Sequence, residues 1–140
     1  TLAVERTIYA AENLCLEAGG TTITVYTPTF PGTSNEKSLC VLFDTEKCDI
    51  LITGDRETEG ELELLLNEQL PDLEILIAGH HGSKYSTSSE LLEATSPETV
   101  LICVGRNSYG HPTQEVLDRI AAIGATVYRT DLHGEITITR

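Results

Sequence analysis

At 140 residues, 40% apolar and 22% charged, the chain is long enough to bury a core, and its composition excludes a disordered or low-complexity protein. Its 22 acidic residues against 9 basic ones give a formal net charge of −13, which excludes a broad surface for nucleic acid or anionic membranes, so any phosphate recognition has to be local. No apolar run approaches the roughly 18 residues of a membrane span, no signal peptide is expected, and the lack of any methionine suggests a piece of a longer protein.

In chain order, VERTIYAAENLCLEAGG places Val4, Ile8, Ala11, Leu14 and Cys15 near a three-to-four period and stops at Gly19-Gly20, which predicts a helix. TTITVYTP alternates and is rich in β-branched residues, so it predicts a strand, followed by a loop over Pro28 to Ser34. SLCVLFD and DILITGD predict a hairpin closed by the polar turn TEKC. Thr58 with Glu61 has the spacing of a capping box ahead of Leu62, Leu65, Leu66 and Leu70, an amphipathic helix whose acidic face is expected in solvent. LEILIA predicts a buried strand, Thr87 with Glu90 repeats the capping-box spacing before LLEAT, and TVLICVG predicts another strand. Pro112 suits the start of a helix carrying Val116, Leu117, Ile120 and Ile123 and closed by Gly124, and ATVYRT and GEITITR predict two final strands. With no linker or repeat, residues 1–140 are expected to form one α/β unit of alternating strands and helices.

Cys15, Cys40, Cys48 and Cys103 are scattered, three inside apolar runs and none in a CxxC pair. They are expected as buried thiols, with Cys40 and Cys48 the one pair placed to face each other across a hairpin.

Three apolar strands end in the same way. DILIT runs into Gly54-Asp55, LEILIA into Gly79-His80-His81-Gly82-Ser83, and TVLICV into Gly105-Arg106-Asn107-Ser108-Tyr109-Gly110-His111. Ligands of α/β sheets bind beyond the carboxyl ends of strands, so three such loops on one rim would make a site. Arg56, Lys84 and Arg106 fall in these loops and would give an acidic body a locally basic rim. A carboxylate and imidazoles meeting there suit a divalent transition metal, which lowers the pKa of bound water and polarises a phosphoryl or carbonyl oxygen. Plainer roles stand beside these: Asp55 as a turn carboxylate, His80-His81 as a polar turn, His111 as a helix cap and His133 as a turn residue. Ser83 beside histidine is a nucleophile only if the two meet through space.

The ordered set Asn35 to Ser38, LITGD, AGHHGSKYS, GRNSYGHP and TDLHGEITI resembles the metallo-β-lactamase superfamily, and within it the ComEC-type DNA-internalisation proteins of competence. The resemblance implies an αββα sandwich, a mixed sheet flanked by helices, with a two-metal centre of zinc or manganese at its rim. Asp55 would bridge the metals, His81 would be a ligand, and His80 would support it or meet substrate. Ser83, Lys84, Arg106, Asn107 and His111 would contact substrate, Arg106 or Lys84 offsetting phosphate charge, while a metal-bound hydroxide attacks phosphorus. The implied setting is a bacterial protein whose extracytoplasmic domain acts on single-stranded DNA beside the transmembrane channel of the same chain.

One departure accompanies this match. The superfamily's HxHxDH motif is absent, since the only histidines are His80, His81, His111 and His133. The chain is therefore expected to be the C-terminal part of the domain, a half-site inactive on its own and short of the three or four protein ligands a transition metal takes. Two other functions remain open: a catalytically inactive scaffold or interaction module, and a metal-dependent hydrolase of a small molecule.

Overall fold

Seven strands lie side by side in chain order, β1 Leu14–Ala18, β2 Thr21–Tyr26, β3 Cys40–Thr45, β4 Ile50–Ile52, β5 Ile75–Ile77, β6 Thr99–Ile102 and β7 Thr126–Arg129, in a computed structural model that describes residues 11–29 and 31–139. The first four are antiparallel, with short links from β1 to β2 and from β3 to β4 and a longer loop from β2 to β3. From β4 to β7 the pairing is parallel, and each return crosses over through a helix: α1 Thr58–Asn67, α2 Ser89–Thr95 and α3 Gln114–Ala122. Parallel strands all end on one edge. The loops that follow β4, β5 and β6 therefore share a rim.

One face of the sheet carries Leu42, Leu51, Leu76 and Val100, and these join Leu64 of α1, Leu91 and Leu92 of α2, and Val116 and Ile120 of α3 in a single core. The opposite face is apolar as well, with Val41, Ile52, Ile77 and Leu101 in one row and Phe43, Ile50 and Ile75 in the next. Strands apolar on both faces belong to a sheet covered on both sides. On this second face Ile136 and Ile138 of the C-terminal segment border a groove of about 280 Å³ with Ile50, Ile75, Ile77 and Leu101. A mixed sheet with its helices on one side and an apolar back is one leaf of an αββα sandwich.

Several local expectations are corrected. The helix expected over residues 4–18 is a strand at Leu14–Ala18, paired Leu14 with Val25, and residues 1–10 lie outside the described residues. Gly19 and Gly20, at φ 60° and 84°, form the two-residue link of a β-hairpin; a Gly-Gly pair before a β-branched run closes a hairpin as readily as it ends a helix. GEITITR carries no strand over residues 135–139, because the chain leaves β7 through the short helix α4, Thr130–His133, and turns at Gly134.

Neither capping box forms. Glu57 is the N-cap of α1 without a side-chain bond, and Ser88 caps α2 through a bond from Leu91 N at 3.2 Å. Leu64 is the buried leucine of α1, whereas Leu66 is 86% exposed, and the acidic face expected in solvent contributes the fully buried Glu61. Cys40 is buried, but Cys15 and Cys103 are exposed. Cys40 and Cys48 do not meet, since Cys40 pairs with Tyr26 and points at Thr53 O while Cys48 lies in the turn closed by Thr45.

Candidate functional site

The turn Gly79–His81 follows β5 and places His80 and His81 consecutively at positive φ, 48° and 56°. Non-glycine residues adopt this region at a cost of roughly 1–2 kcal/mol each, and such strain persists only where surrounding contacts enforce it. Those contacts come from both neighbouring loops. His80 N donates to Gly54 O at 2.9 Å, and the ring of His81 places Nδ1 2.6 Å from Cys103 O. A carbonyl can only accept, so His81 Nδ1 carries the hydrogen and the neutral ring presents Nε2 as a bare lone pair.

Behind this turn the 84–88 segment is held from two sides. Glu61 accepts the N–H groups of Thr87 and Ser88 at 2.6 and 2.8 Å, and burial pushes its carboxyl above the usual range against the pull of those bonds and of Arg119. From the other side Arg119 donates to the carbonyls of Lys84, Ser86 and Thr87. Thr87 Oγ1 in turn accepts Gly79 N at 3.1 Å. The loop after β4 is fastened likewise. Arg56 is wholly buried and donates to Ser38 O and Gly60 O, with Glu63 3.4 Å away, and Asp55 N donates to Ser38 Oγ. Arg56 therefore builds the rim rather than charging it.

The loop after β6 is organised by Asn107. Its Nδ2 donates to Gly105 O and His111 O, and its Oδ1 accepts Tyr109 N and His111 N. The result is a cavity of about 450 Å³ bordered by His81, Cys103, Arg106, Tyr109, His111 and Thr130. His111 packs its ring 5.7 Å from that of His80 and 6.0 Å from that of Tyr109. Burial, with His80 and His81 nearby, holds the pKa of His111 below its usual value, so its ring favours the neutral form.

The expected residues thus divide. Asp55, His80, His81, Arg106, Asn107 and His111 all lie on one rim, tied by the Gly54–His80 and His81–Cys103 bonds. Ser83 is buried with its Oγ accepting Tyr85 N, and Lys84 is exposed with Nζ 5.0 Å from the centre of the Tyr85 ring. His133 closes α4, its ring against Tyr128. Glu57, 3.7 Å from His80 Nδ1, and the buttresses Glu61 and Arg119 were not expected at the site. Among the described residues no three His, Cys, Asp or Glu side chains are grouped to hold a metal ion, so they do not by themselves fit a complete transition-metal centre.

The fold is the metallo-β-lactamase fold. A mutant of CmlA beta-hydroxylase, a protein of that fold, superposes with a TM-score of 0.52 at 10% identity, over 84% of this chain and 31% of its own. The sequence places the chain more narrowly, in the ComEC family of competence proteins. It is 38% identical over 109 residues to ComE operon protein 3 of Bacillus subtilis, 42% over 90 residues to competence protein ComA of Neisseria gonorrhoeae, and 33% over 105 residues to recombination protein 2 of Haemophilus influenzae. These matches take in 76%, 62% and 74% of the chain but only 14%, 13% and 13% of the relatives, so the chain corresponds to a small part of their length. No family model matches.

Proposed function

We propose that this chain is the C-terminal part of a metallo-β-lactamase-like domain in a DNA-uptake protein, and that the whole domain is a metal-dependent phosphodiesterase acting on single-stranded DNA. In this reading the domain stands on the extracytoplasmic side of the membrane beside the channel of the same polypeptide; among the described residues no helix is long and apolar enough to cross a membrane. The observation that carries it is the strained His80-His81 turn, which hydrogen bonds to both neighbouring loops enforce, with the His81 ring bordering the cavity and its Nδ1 held by Cys103 O. A purely structural turn has no need of two left-handed histidines, and glycine would serve at lower cost.

Asp55 and His81 are the positions proposed to hold zinc or manganese, with the remaining ligands supplied from outside the described residues. The metal would supply an activated water and a polarised phosphoryl oxygen. The chain's own contribution is to orient: His81 is fixed by Cys103, and Arg106 at the border of the cavity offsets phosphate charge. The incomplete ligand set favours a second reading, an inert scaffold.

Asp55→Ala and His81→Ala, introduced into the full-length DNA-uptake protein, are expected to abolish natural transformation while leaving its abundance unchanged. Normal transformation in both would favour the scaffold. The isolated chain, titrated calorimetrically with zinc and with manganese, is expected to bind weakly and to leave single-stranded DNA intact. Submicromolar affinity with Asp55-dependent cleavage would mean that other residues complete the centre.

A further inference from the structure

We infer that Tyr109 is a stacking platform for one nucleobase of a single-stranded nucleic acid whose phosphate lies at the neighbouring rim; the inference rests on the reading above and assigns a residue to its substrate. Tyr109 is 81% exposed, so its ring is available to a ligand. His111 flanks it, the two rings near parallel at 16° with centres 6.0 Å apart, and its exposure leaves the ring face open to solvent. Both backbone neighbours of this stack are pinned by one side chain, since Asn107 Oδ1 accepts Tyr109 N at 3.0 Å and His111 N at 3.1 Å. The ring is thus held out by a braced loop at the border of the 450 Å³ cavity that also contains Arg106 and His81. An aromatic face preorganised in this way loses little side-chain entropy when a flat ring lies on it.

Charge explains why a stack is needed. With a net charge of −13 the protein repels a polyanion at long range, and among the described residues Arg106 is the one Lys or Arg bordering this cavity. Affinity for a strand has to come from contacts that do not depend on phosphate charge, and stacking is such a contact because every base has a π-face. Binding is therefore expected to tolerate sequence and to depend only weakly on salt. A contact to one or two phosphates corresponds to a log–log salt slope of magnitude about 1.4 or less.

The test is an NMR titration of the chain, without metal, using a six-residue thymidine oligonucleotide and an abasic oligomer with the same number of phosphates. The thymidine strand is expected to bind roughly tenfold more tightly, with ring-current shifts at Tyr109. Tyr109→Ala should reduce its affinity to that of the abasic strand, and Tyr109→Phe should retain it. Equal affinity of the two strands, or an unchanged preference in Tyr109→Ala, overturns the platform while leaving phosphate recognition standing. Failure of both strands to bind overturns the platform together with the single-stranded DNA reading on which it rests.

Discussion

The carboxylate of Glu61, in the first turn of α1, accepts the main-chain N–H of Thr87 at 2.6 Å across 26 residues of sequence. Its other oxygen takes Ser88 N, and the side chain has no exposure to solvent. Removing it leaves two buried donors without partners at about 1–3 kcal/mol each, so Glu61→Ala is expected to destabilise the chain by about 3 kcal/mol or more. Urea denaturation checks this. A shift below about 1 kcal/mol would mean that water replaces the carboxylate.

The same group sets a pH dependence. Burial raises the carboxyl of Glu61 above its usual 4.5, so the folded chain holds that proton more tightly than the unfolded one. The associated stability is fully present below pH 4.5 and is lost as pH rises through the folded value. Unfolding free energies measured upward from pH 4.5 should contain a declining component that disappears in Glu61→Gln, and identical profiles would contradict it.

Glu61 also marks where sequence reading stopped. The strands from Thr21 onward were legible because β-branched runs and short turns are local signals, and the rim was legible because each strand ends in glycine and polar residues. Thr58 and Glu61 have capping-box spacing, yet Glu61 turns inward to a segment that only the folded topology brings near. Arg119 was equally silent: on a helix it reads as surface charge, but its three acceptors lie 32 to 35 residues away. Leu14–Ala18 failed for the opposite reason, a local helical period overridden by pairing with β2. The aromatic role of Tyr109 depends on ring geometry that no spacing encodes.

For His81, the Nδ1 contact with Cys103 O fixes the tautomer. Long-range 15N–1H correlation spectra near pH 8 should show the Nδ1–H form as the dominant neutral species of this ring. A dominant Nε2–H form would mean that the lone pair proposed for the rim faces the wrong way.

Thiol chemistry should separate the cysteines. Burial pushes the Cys40 thiol up to about 12, whereas Cys15 and Cys103 are exposed. With an aromatic disulfide reagent at pH 8, Cys15 and Cys103 are expected to react within minutes and Cys40 only on unfolding, as mass spectrometry of the labelled peptides can establish. Rapid labelling of Cys40 in the folded chain would show that the start of β3 opens.

Gly82 joins the histidine turn to the loop that carries His111. It sits at φ 80°, and its carbonyl accepts Thr113 N at 3.0 Å. A Cβ built there would lie 2.6 Å from Pro112 Cβ and 3.1 Å from Pro112 Cα, atoms of a ring fixed to the main chain rather than the end of a mobile side chain. Gly82→Ala must therefore adopt a disfavoured conformation and also push two backbones apart, stretching the Gly82–Thr113 bond. The combined cost is expected to be on the order of 2–4 kcal/mol. Gly105→Ala supplies the control, because its Cβ meets nothing within 4 Å and its φ is not positive. Denaturation midpoints of the two variants, with amide exchange at Thr113, measure the difference. If Gly82→Ala matches Gly105→Ala in stability and leaves Thr113 protected, the close approach of the two loops does not hold in solution.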